Sequence, residues 1–162
     1  AGGVLEALGQ LRRDNPDLLI LADSRRGLGH FPAVGLKMNR EEFAVMTGGP
    51  VDLPLADLCA AIGRLATDRG QAVFVSLSEE GIAGAKPGEV SEHMPCLPLR
   101  GEIDIVGAGD AVMANLAMGL AAGAEIVEAM EFAMAAASVV IHQLGTTGTA
   151  NLEEIRPLVC AH

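Results

Sequence analysis

Three short apolar runs, LLILAD (18–23), AVGLKMN (33–39) and AVFVSL (72–77), are separated by stretches of helical spacing, and this alternation constrains the fold most. Continuous apolar runs of this length suit strands buried on both faces. Around them, VLEALGQLRRDNPD sets Val4, Leu5, Leu8 and Leu11 on one helical face and stops at Asn15-Pro16. REEFAVMTG reads as a short helix halted by Gly48-Gly49-Pro50. LPLADLCAAIGRLATDRG aligns Leu55, Leu58, Ile62 and Leu65 and ends at Gly70. After EEG turns the chain into IAGAK, EVSEHMPCLPL carries two prolines and is expected at a sheet edge or outside regular structure. A glycine turn then opens a helix running to about Ala122. Glu125–Leu144 reads as a long alanine-rich helix, and NLEEIRPLV as a last one capped by Asn151. Strands separated by helices predict an α/β layered fold with a largely parallel sheet, and one domain over residues 1–162 is the simplest organisation.

Composition narrows the function. Half of the 162 residues are apolar, enough for a substantial core. The net charge of −10 gives a field that repels nucleic acid and anionic membrane. With no tryptophan or tyrosine and four phenylalanines, the chain has almost nothing on which bases could stack. Cys59, Cys96 and Cys160 are scattered and odd in number, as expected of buried thiols in a reducing compartment. His30, His93, His142 and His162 do not join them at zinc-ligand spacing. The apolar stretch Ala129–Leu144 is broken by Ser138, His142 and Gln143 and falls short of the ~20 residues of a membrane span. A cytoplasmic protein is the expectation, and the abrupt start AGGVLEAL is consistent with a fragment.

GEIDIVGAGDAVMAN (101–115) concentrates the chemistry. Gly107, Ala108 and Gly109 fall where a helix begins, so their N–H groups are expected to be free first-turn donors. Small side chains would let an anion approach them. Asp110 is either an acid favourably placed on the helix dipole or a base beside a transferred phosphoryl group. Two phosphate motifs are excluded. Val112 occupies the third small position of G-x-G-x-x-G/A, and no G-K-[ST] tripeptide occurs. A dinucleotide-dependent oxidoreductase is correspondingly disfavoured.

DIVGAGDAV resembles the D-T-x-G-A-G-D signature of the ribokinase-like (PfkB) carbohydrate kinases. KMNREEF resembles that family's N-x-x-E motif, AVFVSLSEEGI its strand and T-x-G turn, and EFAMAAASVVIHQLG the helix and loop beside its adenine pocket. The matches are co-linear over about residues 18–157 and correspond to the C-terminal half of a family member. LLILADSRRG and QLGTTGTANLEEI are most similar to the heptose-phosphate kinase branch.

The resemblance implies a three-layer, Rossmann-like ribokinase fold with the N-terminal half and lid missing. It implies an ATP- and Mg²⁺-dependent kinase acting on a sugar or sugar phosphate, and it admits a monovalent cation. Asp110 would be the catalytic base, with Gly107, Ala108 and Gly109 as the anion hole. Asn39 and Glu42 would hold Mg²⁺ through water, although the same pair has the form of a helix capping box. Ser76 and Gly81 would flank the nucleotide, and Ala136, Ala137 and Gly145 would line the adenine side. Lys37 is a lesser phosphate candidate, since a lysine at a strand end is commonly a solvated rim residue. His142 is expected to be a satisfied helix or surface histidine. Met113, Met118, Met130 and Met134 are expected to fill core.

Three positions depart from the family. Ile105 replaces the signature threonine, Ser78 the T-x-G glycine, and Met134 a polar residue near the adenine. The family's acceptor-holding half has no counterpart here. A homo-oligomer or a complementing N-terminal half is the expected partner, and this chain alone is expected to be nearly inactive. The alternative is a catalytically silent kinase-like domain that binds nucleotide or regulates.

Overall fold

The computed structural model of the chain describes residues 2–25 and 27–159; Cys160 and His162 lie outside them. The strands form one five-stranded sheet in the order β1-β2-β3-β4-β5: Leu21–Ala22, Gly35–Asn39, Val73–Ser76, Ile82–Ala85 and Glu92–Met94. The first two pairings are parallel, with Ala22 beside Leu36 and Asn39 beside Ser76. The helices are α1 (Gly2–Asp14), α2 (Arg40–Thr47), α3 (Leu55–Arg69), α4 (Ala108–Ala121), α5 (Ile126–Val140) and α6 (Leu152–Val159). The α/β class and largely parallel sheet agree with the alternation in the sequence. The proline-flanked β5 lies at the sheet's edge.

The chain divides into two compact units. The first comprises Ala1–Leu77 and Ala83–Glu92. Its core sets Leu36, Met38, Val73 and Val75 from the strands against Phe43 of α2 and Leu58, Ile62 and Ala66 of α3. Alternation along a strand turns Lys37 and Phe74, which are register partners, to the opposite face. LLILAD is strand only at Leu21–Ala22, because Leu18 folds back through its N–H to the carbonyl of Asn15. Gly35, inside the AVGLKMN run, has a packing cause. A Cβ there would lie 2.5 Å from Leu21 Cδ2. Cys59 is half-buried here.

The second unit comprises Ser78–Ile82 and His93–His162. Here α4 packs along α5 so closely that a Cβ on Gly119 would meet Ala129 Cα at 3.2 Å. On α5, Ala135 and Ala136 receive Ile155 of α6, with Leu97 and Phe132 at the margin. Asn151 caps α6 as expected: its Oδ1 accepts from the N–H groups of Glu153 and Glu154, and Glu154 Oε2 accepts from the N–H of Asn151. Several expectations are corrected. Residues 102–105, before the glycine turn, lack regular structure, and the Asp104 N–H donates to Ile141 O at 2.7 Å. That bond draws the chain onto the end of α5, which stops at Val140, short of Leu144. Met130 and Met134 are buried, but Met118 faces solvent from α4. Cys96 is exposed rather than buried.

Candidate functional site

In the first unit the carboxyl ends of β1, β2 and β3 bring together residues distant in sequence, where parallel α/β sheets place ligands. Asn39 ends β2 beside Ser76, which ends β3 and whose Oγ donates to Met38 O. Asn39 is also the N-cap of α2. Its Oδ1 accepts from the Glu42 N–H, and Glu42 Oε2 accepts from the Asn39 N–H, each at 2.8 Å. The capping box is therefore real, and it uses one oxygen from each side chain. It leaves the Asn39 Nδ2 and the second Glu42 oxygen on two half-buried residues that the cap itself holds rigid.

Lys37 departs from the expected solvated rim residue. It is 5% exposed, and its Nζ lies 2.9 Å from Asp23 Oδ2. An ammonium taken this far out of water needs a partner, and the strand register supplies one from the end of β1. The aspartate keeps about a third of its side chain accessible (32%), so the pair presents its acidic end outward.

In the second unit the glycine turn is built from backbone. Gly107, the N-cap of α4, has φ 84°, a conformation glycine adopts without strain, and its neighbour Thr147 approaches to 3.0 Å of where a Cβ would stand. The donor set differs from expectation at one position. The Ala108 N–H donates to Ile105 O at 3.2 Å, so it is engaged. Among the described residues no backbone acceptor takes the N–H of Gly107 or Gly109. Asp110 follows in the first turn, exposed, with no hydrogen bond or ion pair to its carboxylate among the described residues. It does not cap the helix.

Asp104 links this turn to the loop after α5. Its Oδ1 accepts from the Val106 N–H at 3.0 Å and its Oδ2 from the Gly145 N–H at 3.1 Å. Gly145 itself is exposed, with φ 71°. Ala137 is half-buried, but its neighbour Ala136 is fully buried against Ile155 and so serves packing rather than a pocket wall. His142 is satisfied as expected, though it lies in the turn beyond α5. Its Nε2 accepts from the Arg100 N–H, so Nδ1 carries the proton donated to Ser138 O.

Gly81 is required by backbone crowding. A Cβ there would stand 2.1 Å from Met94 O and 2.8 Å from Cys96 N, and φ is 98°. Ser78, in place of the motif's glycine, holds φ 54° and so keeps a glycine-like backbone. Its carbonyl accepts from the Gly81 N–H and from Cys96 Sγ. Although Cys96 is exposed as a residue, partial desolvation of its thiol pushes it up from its ordinary range; the hydrogen bond with the Gly81 backbone opposes this and Glu79 reinforces it. Asp23, Asp104 and Gln143 were missed as site residues. All three fall within LLILADSRRG, DIVGAGDAV and QLGTTGTANLEEI, but only the fold reveals what they hold.

Residues 33–153 match the model of the pfkB family carbohydrate kinase. The chain belongs to this family. Among curated relatives, bifunctional protein HldE of Azotobacter vinelandii is 32% identical, over 96% of this chain and 35% of that protein. Its counterpart in Bradyrhizobium diazoefficiens is 36% identical, over 78% of this chain and 25% of its own length. The chain therefore spans roughly a quarter to a third of these relatives. Ribokinase from Cryptococcus neoformans var. grubii, solved with ADP, superposes with a TM-score of 0.81 at 20% identity, over 96% of this chain and 56% of that one. Phosphofructokinase-2 from Escherichia coli, solved with potassium, gives 0.81 at 22% identity, over 97% and 52%. The ribokinase-like fold follows. Among the described residues no helix is long and apolar enough to cross a membrane.

Proposed function

We propose that residues 1–162 are the C-terminal, nucleotide-binding part of a cytoplasmic carbohydrate kinase, transferring the γ-phosphoryl group of ATP to a sugar or sugar-phosphate hydroxyl. The observation that carries this is Asp110: an exposed carboxylate one residue beyond the uncommitted N–H of Gly109, on a helix whose cap it does not make. A carboxylate repels a bound anion, so its placement favours proton transfer over binding. Asp110 takes the proton of the acceptor hydroxyl as that oxygen bonds to the γ-phosphorus and the bond to the ADP oxygen breaks. The N–H groups of Gly107 and Gly109 hold charge on the phosphoryl oxygens, and Ala108 joins them if its 3.2 Å bond to Ile105 yields. Ser76 and Gly81 flank the nucleotide; Ala137 and Gly145 border its base.

The free Asn39 amide and second Glu42 oxygen suit Mg²⁺, which keeps most of its waters and takes few protein oxygens. Bound there, Mg²⁺ would neutralise phosphate charge. A monovalent cation is proposed by likeness to the potassium complex of phosphofructokinase-2. The HldE relatives and the resemblance of LLILADSRRG favour a heptose phosphate as acceptor. Holding that acceptor needs a complementing N-terminal half or a second subunit, because orientation alone supplies about 7–11 kcal/mol of such barriers.

A silent, nucleotide-binding domain is the second proposal, favoured by the engaged Ala108 N–H and by Ile105, 74% exposed where the family has threonine. Phosphoryl transfer to a sugar-phosphate panel, assayed with the chain and any sequence encoded with it, separates the two. Asp110→Asn should lower kcat by about 10²–10⁴-fold with ATP binding retained. Unchanged turnover would remove Asp110 as the base, and binding without turnover in the wild type would leave the silent domain.

A further inference from the structure

The structure assigns to Gln143 the role of a positioning residue for nucleotide binding: its side-chain amide clamps the loop that leans on the glycine turn. Its Nε2 donates to Thr149 O at 2.8 Å, and its Oε1 accepts from the Thr149 N–H at 2.9 Å. Both backbone groups of one residue are thus paired, as a neighbouring strand would pair them, and residues 143–149 close into a ring. Gly148 fits inside that ring only as glycine, because a Cβ would lie 2.6 Å from Gln143 Oε1 and 3.0 Å from Val140 O. The ring carries the two contacts with the turn: Thr147 against Gly107, and the Gly145 N–H on Asp104. His142, bonded on both ring nitrogens, steadies its root.

Leu144, Gly145, Thr146 and Thr147 are all exposed. Rigidity there adds little to the core, so its value lies in what the loop meets. Without the amide, the Thr149 backbone turns to water and the loop gains freedom that a ligand must remove again. This inference rests on the kinase proposal, which places the nucleotide beside Gly107 and Gly145.

Titration of the chain with ATP and Mg²⁺, together with amide hydrogen exchange, tests it. Gln143→Met, similar in size but without the amide, should bind ATP at least tenfold more weakly and lose protection at the Thr149 N–H. Leu116 of α4 and Ala133 of α5 should keep theirs. A Gln143→Met affinity within twofold of wild type overturns the assignment. So does loss of protection throughout α4 and α5, which would make the residue a general packing element. Wild-type protein that binds no ATP overturns the kinase proposal and this role together, and is told apart because the wild type itself fails.

Discussion

The two units hold their candidate residues by different means. In the first, side chains do the holding: Asn39 and Glu42 brace each other across a helix cap, and Lys37 is anchored to Asp23. In the second, backbone shape sets the positions, since Gly107 opens α4, Gly81 admits a crossing strand and Ser78 bends as a glycine would, while the Asp104 and Gln143 side chains pin the loop beside the turn. Side-chain sites tolerate conservative exchange, because a replacement can offer the same atom. Backbone sites tolerate little, because the required property is the absence of a Cβ or a sign of φ.

Gly81→Ala should give the largest loss of stability. The methyl would occupy the position of Met94 O, and no side chain can move aside to relieve it. About 3 kcal/mol or more is expected in chemical denaturation, at the upper end for a single substitution. A loss under about 1 kcal/mol would show that the strand crossing is loose and the contrast overstated.

The Lys37–Asp23 pair sharpens the comparison by its asymmetry. Asp23→Ala abandons a buried ammonium and should cost about 3 kcal/mol. Lys37→Met abandons only a partly solvated carboxylate and should cost about 1 kcal/mol. Equal losses in urea denaturation would mean that the lysine is not the desolvated partner.

Ser78→Gly should have the smallest effect and the opposite sign. Relief of a left-handed serine is worth about 1–2 kcal/mol, offset in part by the added freedom of the unfolded chain. A net gain of about 0.5 kcal/mol is expected in thermal unfolding. Destabilisation would show that the Ser78 hydroxyl itself makes a stabilising contact.

The same division explains what the sequence made legible. α2, α3 and the caps at Asn39 and Asn151 follow from spacing within a few residues, and each is found where expected. The end of α5 does not, because it depends on Asp104 arriving from far away in the chain to bond Ile141. Lys37 looked like a rim residue because its partner sits fourteen residues earlier, just beyond the end of another strand. Ala136 and Ala137 carry identical side chains. Only the helix face separates one packed against Ile155 from one half-open. Smallness in a sequence states that something comes close without saying what.

The contact between Gly119 and Ala129 makes α4 a lever. Asp110 stands nine residues from that fulcrum, about 13 Å along the helix. An alanine at Gly119 would ask α5 to yield by a few tenths of an ångström. If α5 held firm, the arm would pivot and carry the carboxylate with it. Where alignment of reacting atoms governs rate, a methyl group far from any substrate could then slow the reaction without touching a residue that performs it.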